Sequence, residues 1–409
     1  MMGGTIPEPW LSLVGIGEDG VAGLSPAACR LIAGARCVVG GRRHLALAES
    51  LISGARLTWR TPIEATLPDI LDERGRPVCV LATGDPFHYG IGTLLQQHVP
   101  AAEMLCLPQP SAFSLVAARL GWSLQDCACV SLHGRALNRI VPDLQEGRRV
   151  IALSWDGATP RHVADLLVAR GFGASNLWVC EALGGPAERV RVARADAFDL
   201  PDVTDLNTIG LEVVATPEAH VLPATPGLPD DWFEHDGQLT KSSVRAVTLA
   251  ALAPHPGEVL CDIGAGSGSV SIEWLLATPS TRAFAVEHQA ERAARIRRNA
   301  EHWGVVDRLT IVHGPAPEAL QNMPRADAVF VGGGLTREGL LDAGCAALRP
   351  RGRLVSNAVT IESQALLSRM FATRGGDLMT LSFARAEPVG GFHGLRPAMP
   401  VMQWRWVKP

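Results

Sequence analysis

Lysine is almost missing from this chain. Of its 37 basic residues only Lys241 and Lys408 are lysines, and the rest are arginines. A GC-rich genome produces such a skew, although forked guanidinium groups also suit a substrate with many carboxylates. With a net charge of −4 there is no basic excess, so no nucleic-acid partner is expected. The nine cysteines form no C-x-x-C pair, and Cys127 and Cys129 are the only close ones. Zinc-ligand spacings are thereby excluded, no metal site is expected, and the cysteines read as core thiols of a reducing compartment. No apolar run reaches the roughly 18 residues that a membrane span needs. The start, MMGGTIPEPW, lacks the basic and then apolar pattern of a signal peptide. P-loop lysine, nucleophile elbow and H-E-x-x-H motifs are absent too, which removes the familiar kinase, hydrolase and metalloprotease machinery. A cytoplasmic enzyme with no membrane partner is the expectation that these absences leave.

What is present is an apolar, glycine-rich chain. Hydrophobic residues make up 47% of the 409 and charged residues 19%, which suits packed cores and excludes global disorder. At about 100–200 residues per domain, two or three domains are expected. The 42 glycines and 29 prolines point to many tight turns and to sites built from backbone.

Short apolar runs at 10–17, 37–41, 77–86, 103–108, 128–134, 148–157 and 176–184 alternate with helix-period stretches such as 113–120 and 160–170. This is β-α-β patterning, hence an α/β fold with a mostly parallel sheet. The runs 190–195 and 208–214 read as a strand pair closing this half. The segment 215–230 carries Pro217, Pro223, Pro226 and Pro229 without periodicity and reads as a linker; an ordered loop within one domain is the alternative. The alternation then restarts. Five strands are expected near 258–264, 282–287, 308–314, 327–333 and 352–358, with helices between them, one of which covers 315–322. Two more strands, 377–386 and 398–407, are joined by a Gly/Pro-bearing segment.

The sharpest motif is Asp262-Ile-Gly264-Ala265-Gly266-Ser267-Gly268, at a strand end that opens a helix. Glycines there let backbone approach a ligand, and the bare amides favour an anionic or carboxylate-bearing group. Glu287 ends the next strand, where a carboxylate can accept from a ribose diol. A dinucleotide site would want a third glycine at 269, which is Ser269. The spacing present, with an acid two residues before the first glycine, suits S-adenosylmethionine, whose ammonium an acid attracts. A nicotinamide oxidoreductase, a purely structural turn and a non-catalytic binding protein are the rival readings. Thr240 precedes a helix from about 242 to 252 and is either a contact or an N-cap. Gly332-Gly333-Gly334 ends the fourth strand, leaving room for a flat acceptor, and Asn357 ends the fifth, as a site residue or a turn former.

In the first half, Gly15, Gly17 and Gly20 follow the first strand, and Gly84-Asp85-Pro86 with His88 forms a second turn. Asp85 is the polar anchor of that turn, with an Asx turn as its structural alternative. Pro110-Ser111 precedes a helix. His133 with Arg135, and Arg42-Arg43-His44, stand at strand ends, facing either carboxylates or solvent.

Taken together, VGIGEDG, GGRRHL, ATGDPFHYGIG and VSLHGR resemble the tetrapyrrole methylase family in its precorrin C5-methylating branch. DWFEHDGQLTKSSVR, DIGAGSGSVSIE, GPAPEAL, DAVFVGGG and GRLVSNAVTIES resemble the class I methyltransferase that methylates C15 and removes the C12 acetate carboxylate. The resemblance implies residues 1–214 as a tetrapyrrole methylase of two α/β subdomains (a class III methyltransferase), 215–230 as the linker, and 231–409 as a Rossmann-like class I methyltransferase. It implies a bifunctional, decarboxylating C-methyltransferase of corrin biosynthesis, taking precorrin-6B to precorrin-8. Two S-adenosylmethionine sites, S-adenosylhomocysteine as product and a homo-oligomer belong to the same picture. The cofactor contacts it implies fall on Gly15, Gly17, Gly84, Asp85, Pro86, His88 and Ser111, and on Thr240, Asp262, Gly264, Ala265, Gly266, Ser267, Gly268, Glu287 and Ala316. No general base is implied; His133, Arg135 and Asn357 are the candidate catalytic groups. Glu18-Asp19 stands where many relatives have Pro-Gly, and Gly314-Pro315 where Gly-Asp is common.

Overall fold

A computed structural model describes residues 9–409. The chain divides into two units, Met1–His220 and Val221–Pro409.

Unit 1 holds two five-stranded sheets. The first contains β1 (Leu11–Ile16), β2 (Cys37–Gly40), β3 (Ala55–Thr58), β4 (Val78–Thr83) and β5 (Met104–Leu107), all parallel, in the order β3-β2-β4-β1-β5. Every residue of β1 is buried, as expected of a continuous apolar strand covered on both faces. The second contains β6 (Cys127–Ser131), β7 (Arg149–Leu153), β8 (Asn176–Glu181), β9 (Arg189–Arg194) and β10 (Asn207–Glu212), in the order β6-β7-β10-β8-β9. β6–β7 is the one parallel pair of neighbours in this sheet.

The expected pairing of the last two strands is corrected. β10 is almost wholly buried and inserts between β7 and β8, while β9 pairs with β8 at the edge. The alternating sequence RVRVAR suits a strand with one face in solvent, whereas NTIGLE is buried nearly throughout. β3 had no counterpart in the sequence reading, because ARLT is a short, mostly exposed edge without alternation.

Unit 2 is a seven-stranded sheet in the order β13-β12-β11-β14-β15-β19-β16. β11 (Val259–Ile263), β12 (Arg282–Glu287), β13 (Leu309–His313), β14 (Ala326–Val331) and β15 (Leu348–Ala358) are parallel. β16 (Asp377–Leu381) and β19 (Val401–Val407) are antiparallel, and β19 lies between β15 and β16. The segment joining them is not a plain connection: β17 (Ala384–Val389) and β18 (Phe392–Pro397) form a separate hairpin. The helix expected over 315–322 shrinks to a single 3-10 turn, Glu318–Leu320, where prolines at 315 and 317 remove backbone donors.

The unit boundary falls inside the proline-bearing segment 215–230, and that segment is anchored at both ends. The Ala215 N–H donates to Glu146 at 2.6 Å, and the N–H groups of Gly227 and Leu228 donate to Glu273 at 2.7 and 2.9 Å.

Candidate functional site

In an open α/β sheet, the ligand crevice lies beyond the carboxyl ends of the strands where the strand order reverses. In unit 2 that point is between β11 and β14. A cavity of about 930 Å3 opens there. Gly264 to Ser267 after β11, Glu287 after β12, Gly314 to Ala316 after β13, Gly332 to Gly334 after β14 and Asn357 at the end of β15 all line it.

The β11 loop is shaped by three glycines with φ of +72° (Gly264), +60° (Gly266) and +78° (Gly268), a region costly for other residues. Gly268 caps the helix Ser269–Ala277, and a Cβ on it would stand 2.8 Å from the Ile296 side chain. Gly268 therefore sets helix packing and does not line the cavity. The amides of Gly264 and Ala265 donate to the Val286 carbonyl at 3.0 and 3.1 Å, which registers the loop on β12.

Glu287 is 2% exposed. One of its oxygens accepts from the Gly266 N–H at 3.0 Å and the other from the Gln289 N–H at 2.9 Å. The carboxylate that sequence reasoning assigned to a ribose diol thus also fixes the glycine loop. Asp262 is placed differently. It is buried behind the loop, not in the cavity wall, with one oxygen accepting from the Ser271 hydroxyl at 2.7 Å. Its other oxygen has no partner among the described residues. Burial pushes its carboxyl up to about 7; the Ser271 bonds oppose this, and the Glu287 charge adds to it.

Thr240 lines the cavity, but it is not the N-cap of the helix Ser242–Leu252; Lys241 holds that position, without a side-chain cap bond. Thr240 is held by its carbonyl, which accepts from Arg245. Arg245 is wholly buried, bonds Glu273 at 2.5 Å, and also donates to the Leu228 carbonyl. A buried ion pair thereby ties the strap 227–241 to two helices. Asn357 donates to Thr248 at 2.8 Å and accepts from Gln403 at 2.9 Å, so its amide is oriented by two neighbours.

Several cavity residues were missed by the sequence reading: Gln238, Phe330, Phe383, Arg385 and Met399. Phe383, Arg385 and Met399 come from the hairpin and its flanks, and no strand-end rule points to them.

In unit 1 the expected residues meet by close packing of loops. A Cβ on Gly15 would run into the Gly84 carbonyl, and one on Gly84 would stand 2.9 Å from the Ser111 Cα. The end of β1 and the loops after β4 and β5 therefore touch. Asp85 accepts from the Phe87 N–H at 2.8 Å, which is the Asx turn of the alternative reading. His88 stacks on Phe113 with ring centroids 4.5 Å apart, and Ser111 caps its helix by accepting from the Ser114 N–H at 3.2 Å. Gly17 lies beside the Asp19 carboxylate, and Pro86 lends its carbonyl to the Gly92 N–H at 2.8 Å. His133 and Arg135 are not brought to these loops. His133 sits 3.3 Å from the Ser154 carbonyl, and Arg135 lines a separate recess of about 140 Å3 with Trp155, Asp156 and His162. Arg43 pairs with Glu18, and burial, then the Arg43 charge, pushes His44 down to about 4.

Among the described residues no cluster of His, Cys, Asp or Glu is arranged to hold a metal ion, and no helix is long and apolar enough to cross a membrane. All nine cysteines are free, and burial pushes Cys79 and Cys261 up to about 12, which leaves them inert thiols.

Comparison with known proteins bears on the same two regions. The family described as Tetrapyrrole (Corrin/Porphyrin) Methylases matches residues 11–199, and the family described as Precorrin methyltransferase domain matches residues 231–408. A Sinorhizobium sp protein named precorrin-6Y C(5,15)-methyltransferase (decarboxylating) is 52% identical over 403 residues, covering 98% of this chain and 97% of its own length. A Mycobacterium tuberculosis protein of the same name is 41% identical over 402 residues, covering 97% and 99%. A solved structure described as the C-terminal domain of precorrin-6Y C5,15-methyltransferase from Rhodobacter capsulatus is 45% identical and covers 46% of this chain and 100% of its own, with a TM-score of 0.44. With a glycine-loop cavity at the sheet's switch point and relatives aligned along nearly its whole length, the chain belongs to the precorrin-6Y C(5,15)-methyltransferase (decarboxylating) family.

Proposed function

We propose that the two units each hold one S-adenosylmethionine and divide the family's reaction: residues 1–214 methylate C5 of the precorrin, and residues 231–409 methylate C15 and release the C12 acetate carboxylate as CO2. The observation that carries the second half is the single cavity bordered by the Gly264–Ser267 loop, Glu287 and the Gly332–Gly334 loop. The matches at 11–199 and 231–408 and the unit break after His220 support the division.

The residues present fit the methyl donor. Gly264 and Gly266 put backbone without side chains in the wall, Glu287 stands there with oxygens able to accept from a ribose, and Ala316 offers backbone at the next strand end. Once bound, S-adenosylmethionine supplies an electrophilic methyl and leaves as S-adenosylhomocysteine. The chain's own task is alignment: an acceptor carbon held in line with the methyl needs no dedicated base, because placement supplies much of the rate. The reduced macrocycle is enamine-like at its meso carbons. At C5 the incoming methyl replaces a proton, which passes to water. At C15, breaking the acetate C–CO2 bond delivers its electron pair through the conjugated system to the carbon that bonds the methyl. The exocyclic methylene left behind becomes a methyl when it takes up the proton that C15 gives up. No second nucleophile is required, and the amide of Asn357 in the cavity wall is held in a fixed orientation.

The test is incubation of the full chain with methyl-labelled S-adenosylmethionine and precorrin-6B. Two labelled methyls and one CO2 per precorrin are expected; a single labelled methyl would overturn the division. Residues 231–409 alone, if they methylate C15 and keep the acetate, overturn the coupling. The same reading carries a cytoplasmic homo-oligomer without nucleic-acid or membrane partners, which light scattering with and without precorrin checks.

A further inference from the structure

Part of the unit 2 cavity wall is apolar, with Phe330, Leu340, Val359, Phe383 and Met399 in it. A precorrin carries many carboxylates, so some cation must meet them there. Among the described residues, the arginines and lysines lining the cavity are Lys241, Arg292, Arg337 and Arg385. Three are already ion-paired: Lys241 with Asp230 at 3.7 Å, Arg292 with Asp236 at 2.8 Å and Arg337 with Glu318 at 2.9 Å. Arg385 has no polar partner among the described residues.

Its position on the hairpin sharpens the point. Arg385 of β17 stands directly opposite Arg396 of β18. Like charges facing each other weaken a two-stranded ladder, where cross-strand pairs are the unit of stability. Arg396 is relieved by Glu387 at 3.0 Å, and it does not line the cavity. Arg385, exposed on β17 at the cavity wall, is left with water alone to offset its charge, beside an adverse neighbour. A carboxylate-bearing ligand resolves that arrangement, since a guanidinium binds a carboxylate through two parallel charge-assisted bonds.

We propose that Arg385 is a specificity-determining residue that holds one peripheral carboxylate of the acceptor, and one that the reaction leaves in place; this rests on the precorrin reading above. A forked pair stabilises a carboxylate and so would slow its loss as CO2. The departing acetate belongs instead against the apolar wall, where a desolvated charge is unfavourable and its removal brings relief.

The test uses the full chain with precorrin-6B and S-adenosylmethionine, comparing wild type, R385Q, R385K and R396Q. R385Q is expected to raise KM for the precorrin in C15 methylation by about ten- to a hundredfold, the range for one charge-assisted hydrogen-bonded contact. Its KM for S-adenosylmethionine and its ratio of CO2 released to C15 methyl transferred stay at the wild-type values. R385K recovers part of the loss, because it keeps the charge without the fork, and R396Q matches wild type. A precorrin KM within twofold of wild type in R385Q overturns the assignment while leaving the precorrin reading intact. An equal rise in both KM values, or in R396Q, overturns it in favour of hairpin folding. More CO2 per methyl in R385Q overturns the claim that the held carboxylate is retained. A wild type that does not methylate C15 of the precorrin overturns both readings together.

Discussion

In unit 1 the end of β1 and the loops after β4 and β5 press on one another until Gly15 and Gly84 leave no room for a Cβ. In unit 2 the loops after β11 and β14 also approach, with a Cβ on Gly264 reaching 3.0 Å from the Gly333 amide nitrogen, yet the same strand ends border a cavity of about 930 Å3. The polar residues differ in step. Asp85, His88 and Ser111 of unit 1 each have a local structural partner, a turn amide, an aromatic ring or a helix amide. Glu287, Thr240 and Asn357 of unit 2 face open volume while being oriented from behind. Glycine thus serves two ends: in one unit it lets backbones meet, and in the other it keeps a wall bare.

The largest effects should separate the two units by activity. Gly15→Ala drives a methyl into the Gly84 carbonyl and is expected to lower C5 methylation by at least about a hundredfold through misplacement of the loops. Gly266→Arg, at φ +60° and inside the cavity, is expected to do the same to C15 methylation. Product analysis by NMR checks both, and loss of both methylations from either variant breaks the comparison.

The next effect is on stability. Arg245→Met leaves Glu273 buried without its cation and removes the ties to the Leu228 and Thr240 carbonyls. Breaking such a pair is expected to cost about 3–5 kcal/mol. Urea unfolding followed at the unit 2 tryptophans reads it, and unit 1 should be unaffected.

A smaller effect is the pH dependence that Asp262 gives unit 2. The folded carboxyl of Asp262 lies at about 7, against an ordinary value of 3.8. Between these values the folded state holds a proton that the unfolded state has lost, so stability falls as pH rises from about 4 to about 7. Asp262→Asn is expected to flatten that slope in thermal melts. A melt as steep as wild type's would sink the assignment.

The smallest is Ser111→Ala in unit 1, which removes one helix cap and should cost about 1 kcal/mol without changing the KM for S-adenosylmethionine. A change in that KM would show that Ser111 meets the methyl donor as well as its own helix.

The β-α alternation and the Asp262–Gly268 motif were legible because they depend on short-range periodicity and on backbone positions that only glycine tolerates. Ser269, together with Asp262 two residues before the first glycine, separated the two cofactor readings. The placement of β10 in the centre of its sheet was not legible, since nothing local in NTIGLE names its neighbours. Nor was the burial of Asp262 behind its own loop: strand alternation decides which way the side chain points, and one residue of register reverses it. The hairpin arginines escaped because ARAEPV and FHGLRP are exposed strands with no buried face to reveal them.

The buried tie between Arg245, Glu273 and the strap 227–241 also makes the cavity's border part of unit 2's folded core. The strap that borders the cavity is held by the same two helices that stabilise unit 2, so a ligand resting under it is paid for only by the folded form. At a concentration a hundredfold above its Kd such a ligand adds about 2.7 kcal/mol. A methyl donor bound there as proposed would therefore raise the melting temperature of unit 2 as well as feed its reaction.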